Sequence, residues 1–295
     1  MIFTLKNDFL TITAHKHGGE LHSIKSNKDN TEFLWNGNPE YWKYHAPVLF
    51  PIVGKVKDGK YKVDGETYEL PQHGLARVRE FEMINQAENS ISFELKYSDD
   101  TLKVYPYKFS LIITYILEGK TVKTCYEVKN LDDKVINFSI GAHPAYMCPI
   151  MSNENLNDYY FEFNQKEIAS LMPLNTATGL FIHDRKEFLN NANKISISKE
   201  LFKDDALVFE SSKLNSNTIS VKSKNHSKYI EFDFTGFPYL GLWAPATGAP
   251  FLCIEPWFGH ADYEDFNDEF KNKEGVLSLN IGESFKSTYA VTIHE

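Results

Sequence analysis

Arginine is nearly missing from this chain. Of 31 basic residues among 295, only Arg77, Arg79 and Arg185 are arginine, and the other 28 are lysine. Cysteine is scarce too: Cys125, Cys148 and Cys253 are odd in number and widely spaced, matching neither a disulfide framework nor a zinc-ligand spacing. Reduced thiols in the cytoplasm are the simplest expectation. Positive charge is in deficit, with a formal net charge of −9. That argues against nucleic acid, whose phosphates need a basic surface, and against a polybasic membrane contact. No apolar run is long enough to span a bilayer, and the Met1-Ile2-Phe3-Thr4-Leu5-Lys6 start does not read as a signal peptide. Linkers rich in Pro, Gly or Ser, fixed-period repeats and low-complexity tracts are all missing. So are amphipathic helices of the length that alternates with strands in a parallel βαβ sheet.

Aromatic residues are what the chain has in excess: 22 Phe, 16 Tyr and 4 Trp make 14%. They suit strands and packed sheet faces, and a flat ring also covers the apolar face of a pyranose. Period-two alternation runs through the chain. Ile91, Phe93, Leu95 and Tyr97 share one face; Phe109, Leu111, Ile113, Tyr115 and Leu117 share another. Val122, Thr124, Tyr126 and Val128 follow the Glu118-Gly119-Lys120 turn and complete a hairpin. Tyr159 to Phe163, Tyr229 to Phe234 and Tyr289 to Ile293 are further strands. Asp64-Gly65, Asn130 to Asp133 and Thr247 to Pro250 punctuate them. Short helical turns are expected at Lys199 to Phe202 and near Asp262 to Phe270. Residues 35 to 60 read as a long loop, a common place for function. The acidic stretch Asp262, Glu264, Asp265, Asp268 and Glu269 reads as a solvated face, since it lacks calcium-loop spacing. The expectation is one all-β domain over residues 1–295, a sandwich or barrel of mainly antiparallel strands with few short helices.

Three segments carry the chemistry. In Ile254-Glu255-Pro256-Trp257-Phe258-Gly259, an apolar strand ends at a carboxylate walled by aromatics; desolvation there raises a carboxylate toward the range of a general base. In Gly141-Ala142-His143-Pro144, another strand ends at a histidine that Pro144 biases toward extended backbone. In Gln72-His73-Gly74-Leu75-Ala76-Arg77, a turn offers His73 as a donor and Arg77 as a planar fork for paired oxygens. Each also has a structural alternative: Glu255 fixing a loop, His143 as a core histidine, and Arg77 or Arg79 pairing with Glu80 or Glu82. Two histidines and a carboxylate can instead hold zinc, although no HExxH pair is present. His15 and His17 alternate on an expected edge strand and read as incidental. No G-x-S-x-G supports a nucleophilic serine.

With these residues in hand, the chain resembles the aldose 1-epimerase (galactose mutarotase-like) family, in its LacX-like branch. The resemblance rests on Ala46-Pro47-Val48-Leu49-Phe50-Pro51-Ile52-Val53-Gly54, Gln72 to Arg77, His143-Pro144, Asp204 to Phe209, and Cys253-Ile254-Glu255-Pro256-Trp257, in family order over nearly the whole chain. It implies a galactose mutarotase-like supersandwich and a reaction needing no cofactor and no metal. The partner would be a small sugar or sugar phosphate. Glu255 would take the proton of the anomeric O1 hydroxyl and His143 would protonate ring oxygen O5. His73 would hold O5 or a neighbouring hydroxyl. Asp205 would bind hydroxyls, with Asp204 an adjacent rival, and Trp257 and Phe50 would stack on the ring. Lys55 stands where relatives commonly carry Arg; with Lys57, Arg77 and Arg79 it can serve a phosphate or be surface charge. A non-catalytic carbohydrate-binding or sensing protein on the same scaffold is the alternative. Oligomeric state has no visible signature.

Overall fold

The computed structural model describes residues 1–295 and is built from antiparallel sheets. The larger sheet has nine strands. The alternating segments fall where expected: Ser90–Lys96, Phe109–Glu118, Thr121–Asn130, Tyr159–Leu171, Tyr229–Asp233 and Ser284–His294 are all members. Phe109 to Glu118 pairs with Thr121 to Asn130 across the expected turn. A smaller sheet of six strands packs against it. Its order is Leu207–Glu210, Tyr239–Trp243, Phe251–Phe258, Ile140–Ala142 and Val48–Leu49, with Ala145–Met147 also paired to Phe251–Phe258.

The pleat of the small sheet sorts its residues into two environments, because successive side chains point to opposite faces. Val48, Ile140, Ala142, Leu240, Leu242, Leu252 and Ile254 join the main core, with Phe93, Leu111, Ile113, Phe161 and Val291 of the large sheet. Fully burying one such side chain contributes roughly 1.5–3 kcal/mol. Their strand neighbours Gly141, Gly241, Cys253, Glu255 and Trp257 face the other way. That second face is where the candidate residues gather.

Some expectations need correction. The helical turn at Lys199–Phe202 forms, but that of the acidic stretch is confined to Phe270–Asn272. Asp262 is not solvated: it is 3% exposed, accepts the Lys57 backbone N–H at 2.8 Å and pairs with buried Lys273. Its backbone N–H also donates to the Lys55 carbonyl at 2.9 Å, so it anchors the Lys55–Lys57 segment. His15 ends the middle strand of a three-stranded sheet rather than an edge strand. Within the 35–60 loop lie a two-residue strand, Val48–Leu49, and a 3-10 turn, Lys57–Gly59. No helix is long and apolar enough to cross a membrane.

Candidate active site

His143 and Glu255 meet because of strand register. Gly141 lies opposite Trp257, and Ala145 lies opposite Cys253. The strand is interrupted at His143-Pro144 but resumes in the same register, which sets His143 across from Glu255. On its other side Glu255 faces Gly241, which has no side chain to crowd it. His143 Nε2 lies 3.3 Å from Glu255 Oε2.

Trp257 is the floor beside them. A Cβ on Gly141 would fall 2.6 Å from Trp257 Cδ1, and one on Gly241 would fall 2.7 Å from its Cη2. The indole therefore lies flat across the strands, in space that glycines on both flanking strands leave open. Gly241→Ala is expected to lift the ring into the cavity, with a stability loss of about 1–3 kcal/mol. A urea denaturation midpoint unchanged from the parent would contradict this packing.

The pair opens into a cavity of about 620 Å³, a size typical of small-molecule sites. His73, Lys55, Arg77, Asp205 and Trp257 also line it. His73 sits at φ 67° and Gly74 at φ 72°, a left-handed turn that brings the histidine back over the floor. Its Nδ1 accepts the Gly54 backbone N–H at 3.2 Å, which leaves Nε2 to carry the ring proton. The side-chain amide of Gln72 lies 3.2 Å from that Nε2. Arg77 donates from Nη2 to the Gln72 carbonyl at 2.8 Å and lies 4.8 Å over the Tyr44 ring. Lys55 Nζ donates to the Thr178 carbonyl at 3.2 Å on the rim.

The electrostatics divide the pair. Burial, reinforced by the negative charge of Asp205, pushes Glu255 well above the usual carboxylate range, against an opposing contribution from the Trp257 indole N–H. Burial and then the Arg77 charge bring His143 down to about 3. Burial also holds His73 well below the ordinary histidine value. Both directions favour a proton on Glu255 beside a neutral imidazole. His143 can therefore act as an acid only after the proton has moved to it from Glu255 across the 3.3 Å contact.

Of the two adjacent aspartates, Asp205 faces the cavity and Asp204 pairs with Lys186 on the exposed surface at 3.7 Å. A left-handed φ of 78° at Asp205 makes the difference. Phe50 is corrected: it is fully buried in the main core against Tyr105, Phe109 and Phe138, not against the cavity. It shares the core-facing pleat of Val48, and Leu49 takes the other side. Lys57 points away, donating to the Glu264 carbonyl at 2.6 Å, and Arg79 does not line the cavity.

Several lining residues escaped the sequence reading. Trp42 stacks on His143 at 4.8 Å and Trp243 meets the same ring edge-on at 5.5 Å. Tyr44 and Lys203 complete the wall. The only available signal for Trp42 and Tyr44 was their place in the long loop. Buried Glu20 holds that loop, its Oε1 accepting the backbone N–H groups of His45 at 2.7 Å and Ala46 at 2.9 Å.

Comparison with known proteins identifies the family. A sequence model described as aldose 1-epimerase matches residues 1–278. The chain belongs to the aldose 1-epimerase family. It is 34% identical over 300 residues to the chromosomal protein LacX of Lactococcus lactis subsp. lactis, covering 99% of each chain. Its structure is similar to that of a galactose mutarotase related enzyme from Lactobacillus acidophilus, with a TM-score of 0.95, 34% identity, and coverage of 100% of this chain and 98% of that one. A galactose mutarotase-like protein from Lactobacillus casei aligns over the full length of both chains at TM-score 0.92 and 26% identity. The fold is the galactose mutarotase-like one, and membership supports a general epimerase or mutarotase role in this aldose 1-epimerase family.

Proposed function

We propose that this family member interconverts the α and β anomers of an aldohexose or hexose phosphate by acid–base ring opening. The observation that carries the reading is the Glu255–His143 pair, 3.3 Å apart on the cavity floor. O1 and O5 are bonded to the same carbon, so the groups that serve them must be neighbours. A bound sugar replaces the direct contact within the pair by contacts to O1 and O5. Before the contact is broken the pair's proton passes from Glu255 to His143 Nε2; ionised Glu255 then takes the O1 proton while His143 delivers its own to O5, and the C1–O5 bond opens. Rotation about C1–C2 presents the other carbonyl face, and closure runs the transfers in reverse.

The surrounding groups fit binding roles in this scheme. Trp257 offers a flat apolar surface to the pyranose face, His73 Nε2–H a donor for O5 or its neighbour, and Asp205 an acceptor for hydroxyls. Arg77, Lys55 and Lys203 place positive charge around the cavity, which supports a substrate bearing a phosphate. Arg77→Lys keeps the charge but loses the fork. Its expected effect is a KM raised about tenfold, the size of one charge-assisted hydrogen bond, with kcat within a few-fold. A fall in kcat with KM unchanged would place Arg77 in the chemistry instead.

The deciding experiment is NMR exchange spectroscopy of purified protein with free and phosphorylated aldohexoses. Acceleration of α/β exchange beyond the spontaneous rate, without added metal, is expected for at least one of them. Saturable binding with no acceleration for any sugar would support a binding protein on this scaffold.

A further inference from the structure

We propose that Cys253, His143 and Glu255 together form a binding site for a thiophilic divalent cation such as Zn²⁺, whose occupancy blocks the acid–base pair. Cys253 and Glu255 are two residues apart on one strand, so their side chains share a face, and His143 stands across from Glu255. One donor atom from each of the three lies within 4.8 Å of the other two, and all three residues are buried. Donors around a tetrahedral zinc stand roughly 3.3–3.8 Å apart, given bonds of about 2.0–2.3 Å. The Nε2–Oε2 distance of 3.3 Å already fits, and modest side-chain rotation brings in the sulfur. His143 Nδ1 is buried with no hydrogen-bond partner, so no hydrogen bond at that nitrogen opposes such a rotation, which can run in the plane of the ring against the stacked Trp42. Thiolate, imidazole and carboxylate make a donor set suited to zinc. Two of the ligands line the cavity, which gives the ion an entry path and leaves a fourth position toward the sugar. Binding exchanges the thiol proton and the carboxyl proton for the ion, both protons leaving to solvent; nothing is oxidised.

A second carboxylate–imidazole cluster lacks this convergence. Glu20, His22 and His45 are as close together, but the two rings stack at 3.9 Å with 12° between their planes. Their lone pairs lie in nearly parallel, separate planes and so do not converge on one ion.

The test uses Co²⁺ as a spectroscopic probe on the full chain. One equivalent is expected to produce a near-ultraviolet sulfur-to-metal charge-transfer band, displaced by Zn²⁺. The band should vanish in Cys253→Ala and persist in Cys125→Ser and Cys148→Ser. Co²⁺ on imidazoles elsewhere gives no sulfur band. Cys253→Ser, closer in size, serves if the alanine variant does not fold. No sulfur band under excess Co²⁺, or a band unchanged in both Cys253 variants, overturns the site. The inhibitory role rests on the proposed acid–base reading. There, Zn²⁺ should suppress anomer exchange in the parent, and Cys253→Ala should keep exchange while losing on the order of 100-fold or more in Zn²⁺ sensitivity. Equal sensitivity in the two proteins overturns the role. A Cys253-dependent band in a protein that accelerates no sugar's exchange upholds the site and removes the catalytic reading.

Discussion

Glu255→Gln is expected to lower kcat for anomer exchange by about 10³-fold, within the range general base catalysis supplies, while sugar binding stays within a few-fold. The substitution keeps the side chain's size where Glu255 is 2% exposed, between Gly241 and His143. It removes the ability to accept and release a proton at the anomeric hydroxyl. Since burial and Asp205 favour the uncharged form of Glu255, an uncharged amide resembles it and should not disturb folding. That separates it from substitutions that kill activity through collapse. The measurement is exchange spectroscopy for kcat and titration calorimetry for the sugar. A variant exchanging at the parent's rate would remove Glu255 from the base role. One that no longer binds sugar would assign it to binding.

The sheets were legible because alternation is a local signal. Phe109 to Leu117 or Val122 to Val128 announces a half-buried strand within ten residues. His143 and Glu255 were legible as strand-end titratable groups, but their partnership was not. It depends on two short strands pairing with one long strand in a single register, a relation between segments more than a hundred residues apart. The glycines that make room for Trp257 carried no signal at all, since an isolated glycine in a strand has many uses. Phe50 shows the converse failure. It sits inside a family motif, and only the pleat reveals that motif membership brought it to the core and Leu49 to the other face. Asp204 and Asp205 differ in nothing but backbone conformation, which adjacent identical residues cannot disclose.

His143→Asn carries a further expected result in its pH dependence. The loss in kcat should again be about 10²–10⁴-fold. The parent's resting pair holds one proton in total. Turnover needs that proton on His143 and the charge on Glu255, a rearrangement that leaves the count at one. A second proton, added as pH falls toward the His143 value of about 3, removes the base. Loss of the single proton, as pH rises through the raised Glu255 value, leaves nothing for O5. The parent profile is therefore a bell whose limbs belong to the pair. In His143→Asn the logic on the alkaline side inverts. Glu255 alone must be ionised to act, so residual exchange should climb with pH through the interval where the parent declines. A decline shared by both proteins would exclude His143 as the acid. Combining the two substitutions should cost little more than the worse single one, because neither proton transfer is useful without the other.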